Sequence, residues 1–110
     1  MNLSTDIWVY ALLRRVQLDG ASATIVRKGD ATGGAVLVRT WDPRVREARL
    51  YALAQGSGGE SVWMQPLAGA VETDLDAYAM RASRRDPDLW IVEIEAPDGK
   101  RFLTEDVEGA

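Results

Sequence analysis

Anion chemistry is the first possibility the chain raises. Arg14, Arg15, Arg27, Lys28, Gly29, Arg84 and Arg85 have the residue types and local spacing to hold a phosphate or a carboxylate. Arg27, Lys28 and Gly29 open the stretch RKGDATGGAVLV at 27–38, which combines two cations with three glycines and an apolar run. Gly29 and Gly34 have the separation of a phosphate-binding P-loop. The Lys and Ser/Thr that should follow are replaced by Ala35 and Val36, and a strand pattern follows instead of a helix. The stretch therefore reads first as turn chemistry, with glycines supplying unusual backbone angles. Its exposed N–H groups keep anion contact as the second reading. Arg14 and Arg15 end one predicted helix, and Arg81, Arg84 and Arg85 end another, where cations offset the helix dipole without any ligand. Only if those helix ends converge with Arg27, Lys28 and Arg39 do they form one basic patch.

Other chemistries are excluded or weakly supported. The chain has no Cys and no His, which removes disulfides, thiolate or imidazole metal sites and Ser-His-Asp catalysis. Glu93 and Glu95 alternate on one predicted strand face, about 7 Å apart, a spacing compatible with a divalent cation or an acid–base pair. Without His or Cys they need help from Asp86, Asp88 or Asp98. A solvated strand face is the simpler reading. No cofactor and no metal are expected, and enzymatic activity is not the favoured interpretation. Of four tryptophans, Trp8 and Trp90 fit apolar faces, whereas Trp41 borders a turn and Trp63 follows a Gly/Ser loop. Trp41 and Trp63 are the candidate anchors for a partner protein, because Trp is enriched at binding hot spots.

The elements that position these residues can be read from period and punctuation. Residues 5–18 form a predicted helix: Ser4, Thr5 and Asp6 are candidate caps, Trp8, Val9, Leu12, Leu13 and Val16 make its apolar face, and Gly20 stops it. Runs 23–28 and 35–40 read as a hairpin around GDATGG. The run AVLV, apolar on both faces, predicts a central strand covered on both sides. Residues 47–54 and 62–67 predict a third and fourth strand, with a flexible loop at 55–61 and Pro66 favouring an edge. A second helix spans 73–85, with Thr73 and Asp76 resembling a capping box and Asp86-Pro87 ending it. LWIVEIE at 89–95 is a strand with Trp90, Val92 and Ile94 on one face. PDGK at 97–100 predicts a hairpin returning through 101–104.

The resulting expectation is an α+β fold in the order α-β-β-β-β-α-β-β, a mostly antiparallel sheet of five to six strands with two helices packed on it. Length and composition fit one domain over 1–110, with 105–110 a frayed tail. The apolar stretch near the N-terminus is short and precedes Arg14-Arg15, so neither a signal peptide nor a membrane span is expected, and a cytoplasmic setting is.

The motifs ALLRR at 11–15, RKGDATGG and DPDLWIVEIEAPDGKRFL carry a resemblance. The chain resembles a small family of bacterial proteins of unknown function, mostly alphaproteobacterial, along most of its length and least over residues 42–70. Those proteins share an N-terminal helix ending ALLRR, an RGDA-x-x-G segment and a DPDLWIVE strand. Here Lys28 stands where the family pattern has Arg. The resemblance implies a family label but no activity, cofactor or catalytic residue.

Together these readings favour a non-enzymatic protein-binding or adaptor module with an unidentified protein partner, a second copy of the chain being one option. An anion, nucleotide or RNA binder using the arginines is the alternative. A net charge of −4 and the presence of only two lysines oppose nucleic acid, and no membrane association is expected.

Overall fold

The computed structural model describes residues 4–55 and 61–107. In chain order the elements are α1 (Thr5–Leu18), β1 (Ser22–Arg27), β2 (Val36–Asp42), β3 (Glu47–Gln55), β4 (Ser61–Met64), α2 (Glu72–Arg85), β5 (Trp90–Glu95), a 3₁₀ turn (Gly99–Phe102) and β6 (Asp106–Val107). The fold is α+β: one six-stranded sheet in the order β1-β5-β2-β3-β4-β6 with two helices packed on it. Three neighbouring pairs are antiparallel, while β2–β5 and β4–β6 are parallel, so the sheet is mixed.

The sheet is covered on opposite faces. Val9, Leu12 and Val16 recur at helical spacing, and they bury α1 against Val36, Val38, Trp63, Trp90, Val92 and Ile94. Leu75 and Ala79 bury α2 against Leu37, Leu50, Leu89 and Ile91. Strand alternation thus sends Trp90, Val92 and Ile94 toward α1, and Leu89 and Ile91 toward α2. β2 contributes to both clusters, as its doubly apolar run predicts.

Two predicted hairpins are replaced by other connections. β1 and β2 do not pair; β5 lies between them, antiparallel to β1 and parallel to β2. The Gly-rich segment is a crossover loop. At the other end Asp98 adopts the left-handed angle suited to a tight turn (φ 48°), but the chain winds into the 3₁₀ turn instead of returning as a strand. That turn delivers Phe102 and Leu103 into the α1-side core. Apolar side chains at 102 and 103 are consecutive, and a turn can bury both where a strand would bury one. Asp106 and Val107, within the stretch expected to fray, pair with Val62 and Trp63.

The helix starts also depart from the predicted caps. The Thr5 and Asp6 amides donate to the carbonyls of Thr32 and Ala31, so the crossover loop caps α1 in place of a side chain. Thr73 lies inside α2, whose N-cap position is Val71, and no side-chain capping bond forms there. Gly20, at φ 82°, ends α1 as expected. The loop predicted at 55–61 falls largely outside the described residues.

Candidate functional site

The crossover loop is a clasp on the start of β5. The amide of Asp30 donates to the Asp88 carbonyl at 3.0 Å, and the Trp90 amide donates to the Ala35 carbonyl at 2.8 Å. The indole N–H of Trp90 donates to the Asp30 carbonyl at 2.7 Å. Arg27 donates its guanidinium to the Leu89 carbonyl. A Cβ on either Gly29 or Gly34 would lie 2.1 Å from the Asp88 carbonyl oxygen. These two glycines therefore exist for close backbone approach, the second of the two reasons for which a fold requires glycine. The Asp30 carboxylate accepts the amides of Thr32 and Gly33, which fixes the loop's own turn. Asp30, Thr32, Gly33, Gly34 and Ala35 are thus tied within the chain, as is the Arg27 guanidinium.

The predicted arginine patch does not assemble. α1 ends beside the start of β1, and Ser22 pairs with Glu95 at the C-terminal end of β5. α2 ends beside the start of β5, where Arg27 pairs with Ile91. The end of α1 thus sits at one end of the six-residue strand β5, and Arg27, Lys28, Gly29, Arg84 and Arg85 at the other, about 17 Å away along the strand, while Arg15 lines a cleft that extends to Gly34 and Ala35. The two helix ends also lie over opposite faces. Several of these cations have local partners. Arg15 donates to the Phe102 carbonyl at 3.0 Å. Lys28 is near Asp6, whose carboxyl is held below the usual range by the Ser4 hydroxyl first, then by the Ile7 amide and more weakly by Lys28. Arg84 contacts the Met80 sulfur at 3.4 Å.

Trp63, read from sequence as an exposed anchor, is fully buried. Its ring lies 5.5 Å from that of Trp8, and its indole N–H donates to Glu105 Oε1 at 2.9 Å. The Trp8 indole donates to the other oxygen, Oε2, at 3.3 Å. A single carboxylate thereby satisfies two indoles, which lets the ring of Trp63 be buried without an orphaned donor. Trp8, Arg15, Thr104 and Glu105 line a cleft of about 530 Å³ beside α1.

Trp41 is half-buried and remains open to solvent. On the face toward α2, the parallel register aligns Arg39 with Glu93 and Trp41 with Glu95, and the antiparallel register aligns Thr24 with Glu93 and Ser22 with Glu95. The buried apolar contacts of α2 are with Leu37, Leu50, Leu89 and Ile91, and on the β3 side they reach as far as Ala48, the partner of Trp41, but none lies at Ser22, Thr24 or Glu95. The corner carrying Ser22, Thr24 and Glu95 is uncovered, with Trp41 at its border. Shallow grooves of about 350 and 470 Å³ run on either side of Trp41 and share Glu72. Arg39, only 13% exposed, closes the boundary with α2: it donates to Glu72, and to Asp76 at 2.9 Å, with Glu93 at 3.8 Å. Burial works against its charge, but the three carboxylates outweigh that and raise its pKa. Arg39 is therefore neutralised in place, and Glu72, Glu93 and Glu95 give the smaller groove an acidic rim, whereas the larger one carries Arg46 and Arg49 beside Glu47 and Glu72. The sequence had placed Arg39 with the basic set; the acids facing it come from α2, whose docking position no local pattern shows. Glu93 and Glu95 share the face, as their alternation predicts. No cluster of three or more potential metal ligands occurs among the described residues.

Residues 3–104 match the family model described as "Protein of unknown function (DUF1491)". A crystal structure of a DUF1491 family protein from Caulobacter crescentus CB15 is 60% identical, with TM-score 0.91, covering 97% of this chain and 100% of that one. An NMR structure of a DUF1491 family protein from the same organism is also 60% identical, with TM-score 0.90 and 99% of each chain covered. The solution structure of protein Atu0922 from A. tumefaciens is 34% identical over the full length of both chains, with TM-score 0.80. No curated protein matches the chain. The overall fold is thus a shared one, and this chain belongs to the DUF1491 family.

Proposed function

We propose that this protein is a non-enzymatic protein-binding module that receives its partner on the uncovered half-face around Trp41. One observation carries the reading: a large aromatic ring stands partly exposed on the sheet, flanked by two grooves, at the edge of the area that α2 covers. An aromatic anchor on a preorganised surface binds at low entropic cost. The rim of Glu72, Glu93 and Glu95 selects a partner segment carrying Lys or Arg, whose cation can rest against the indole and pair with a carboxylate. A cytoplasmic setting belongs to the same proposal. The loop at 27–35 has no part in binding under this reading, because the Asp30 carboxylate and the Arg27 guanidinium are engaged in the clasp.

The test is a titration with matched basic and acidic peptides, read by fluorescence polarisation at low and high salt. The expected result is binding of the basic peptide, weakened by salt and reduced more than about 10-fold by Trp41→Ala. Equal binding by wild type and Trp41→Ala would remove the half-face from consideration.

A further inference from the structure

β1 occupies an edge of the sheet, and among the described residues its one strand partner is β5. Natural edge strands are usually blunted by charge, proline or brevity. This edge runs Ser22-Ala23-Thr24-Ile25-Val26 without a charged residue or a proline. Its only charge is Arg27 at the end, and that guanidinium is turned back onto the Leu89 carbonyl. The register shift between Ile25 and Arg27 is a bulge, which also blunts an edge, but it lies at the end of the strand. Residues 22–25 pair regularly with β5 and keep their other side open, and Val26 is 54% exposed.

The helix above the edge is unprotected too. Trp8 faces Trp63, on the β4 side of α1. Two helical residues are separated by roughly 200° around the axis, which turns Tyr10 toward the β1 side. Tyr10 meets Trp90 of β5 edge-on at 6.4 Å and yet is 49% exposed.

From these features we infer that two copies of the chain associate through antiparallel pairing of β1 with β1, continuing one sheet across both. An antiparallel pair has its two-fold axis perpendicular to the sheet. Both α1 helices therefore come to lie on the same face, and the two Tyr10 rings flank the new seam. The contact is isologous, so the patch must complement itself. An uncharged strand does so: no like charges oppose one another across residues 22–26. The Trp41 half-face lies on the side of the sheet away from α1, and its smaller groove borders the seam through the Ser22 and Thr24 side chains, so Val26→Lys, outside that groove, is the variant that tests the association alone.

Sedimentation of the full chain from about 5 to about 200 μM tests the inference. Wild type is expected to sediment as a dimer that dissociates on dilution. Val26→Lys and Thr24→Lys each place a cation on an exposed position of the edge, leave the core untouched, and are expected to raise the dimer Kd at least 10-fold. Amide exchange supplies a second readout: outward-facing amides of 22–26 should exchange faster on dilution in wild type, and at every concentration in Val26→Lys. A monomer throughout the range overturns the inference. So does a dimer that neither lysine weakens, which would place its contact elsewhere.

Discussion

The Trp90 indole donates to the Asp30 carbonyl across 60 residues of chain, at 2.7 Å, while the Asp30 amide donates to the carbonyl two residues before Trp90. This reciprocal grip ties the crossover loop to the start of β5. The glycines flanking Asp30 allow the two backbones to meet.

Replacing those glycines should therefore be costly, and unequally so among neighbours. Gly29→Ala and Gly34→Ala each drive a methyl to within 2.1 Å of a backbone oxygen. Each is expected to destabilise the fold by about 2–4 kcal/mol in urea titrations. Gly33→Ala meets nothing within 4 Å and is expected to change stability by less than about 0.5 kcal/mol. Equal effects at 33 and 34 would show that loop entropy, not the close approach, governs this segment.

Glu105 links the last described residues of the chain to both α1 and β4. Glu105→Ala leaves the indole N–H of buried Trp63 without its acceptor. The expected loss is about 1–3 kcal/mol, the cost of an unsatisfied buried donor. Trp63→Phe in the Glu105→Ala background removes that donor, so the two changes should be less than additive in a double-mutant cycle. Strict additivity would mean that the carboxylate does not serve the indole.

Stability should also respond to Asp42. Its carboxyl accepts the Asp98 amide at 3.0 Å and the Arg44 amide at 2.9 Å, and the Asp98 bond does most to hold its pKa below 3.8. A carboxylate with a depressed folded pKa stabilises the fold above its unfolded pKa, and that contribution is lost as pH falls through the folded value. Asp42→Asn should therefore lower stability at neutral pH and flatten its decline below about pH 4. Parallel pH profiles for variant and wild type in urea titrations would exclude this anchor of the 97–100 turn.

How much of this was legible in the sequence depended on the range of the interactions involved. The two helices, the strand alternation at Trp90, Val92 and Ile94, and the doubly apolar β2 follow from local period, and the structure has them. Strand pairing at GDATGG was misread because turn chemistry reports that the chain turns, not that β5 inserts between β1 and β2. Trp63 looked exposed because its acceptor is 42 residues away. Whether the arginines converge was not legible, because residues 15 and 84 both lie near helix ends and sequence does not say that those ends lie over opposite faces. The half-face at Trp41 was half-visible: the aromatic beside a turn was readable, but the acids contributed by α2 were not.

The most direct test of the binding account is a titration of the ¹⁵N-labelled protein with a Lys/Arg-rich peptide, followed residue by residue. The account predicts saturable shifts at the Trp41 indole, Thr24, Glu93 and Glu95, with the 27–35 loop unmoved, and their loss in Trp41→Ala. Shifts confined to residues 27–35 and the last turn of α2, or none at all, would contradict it.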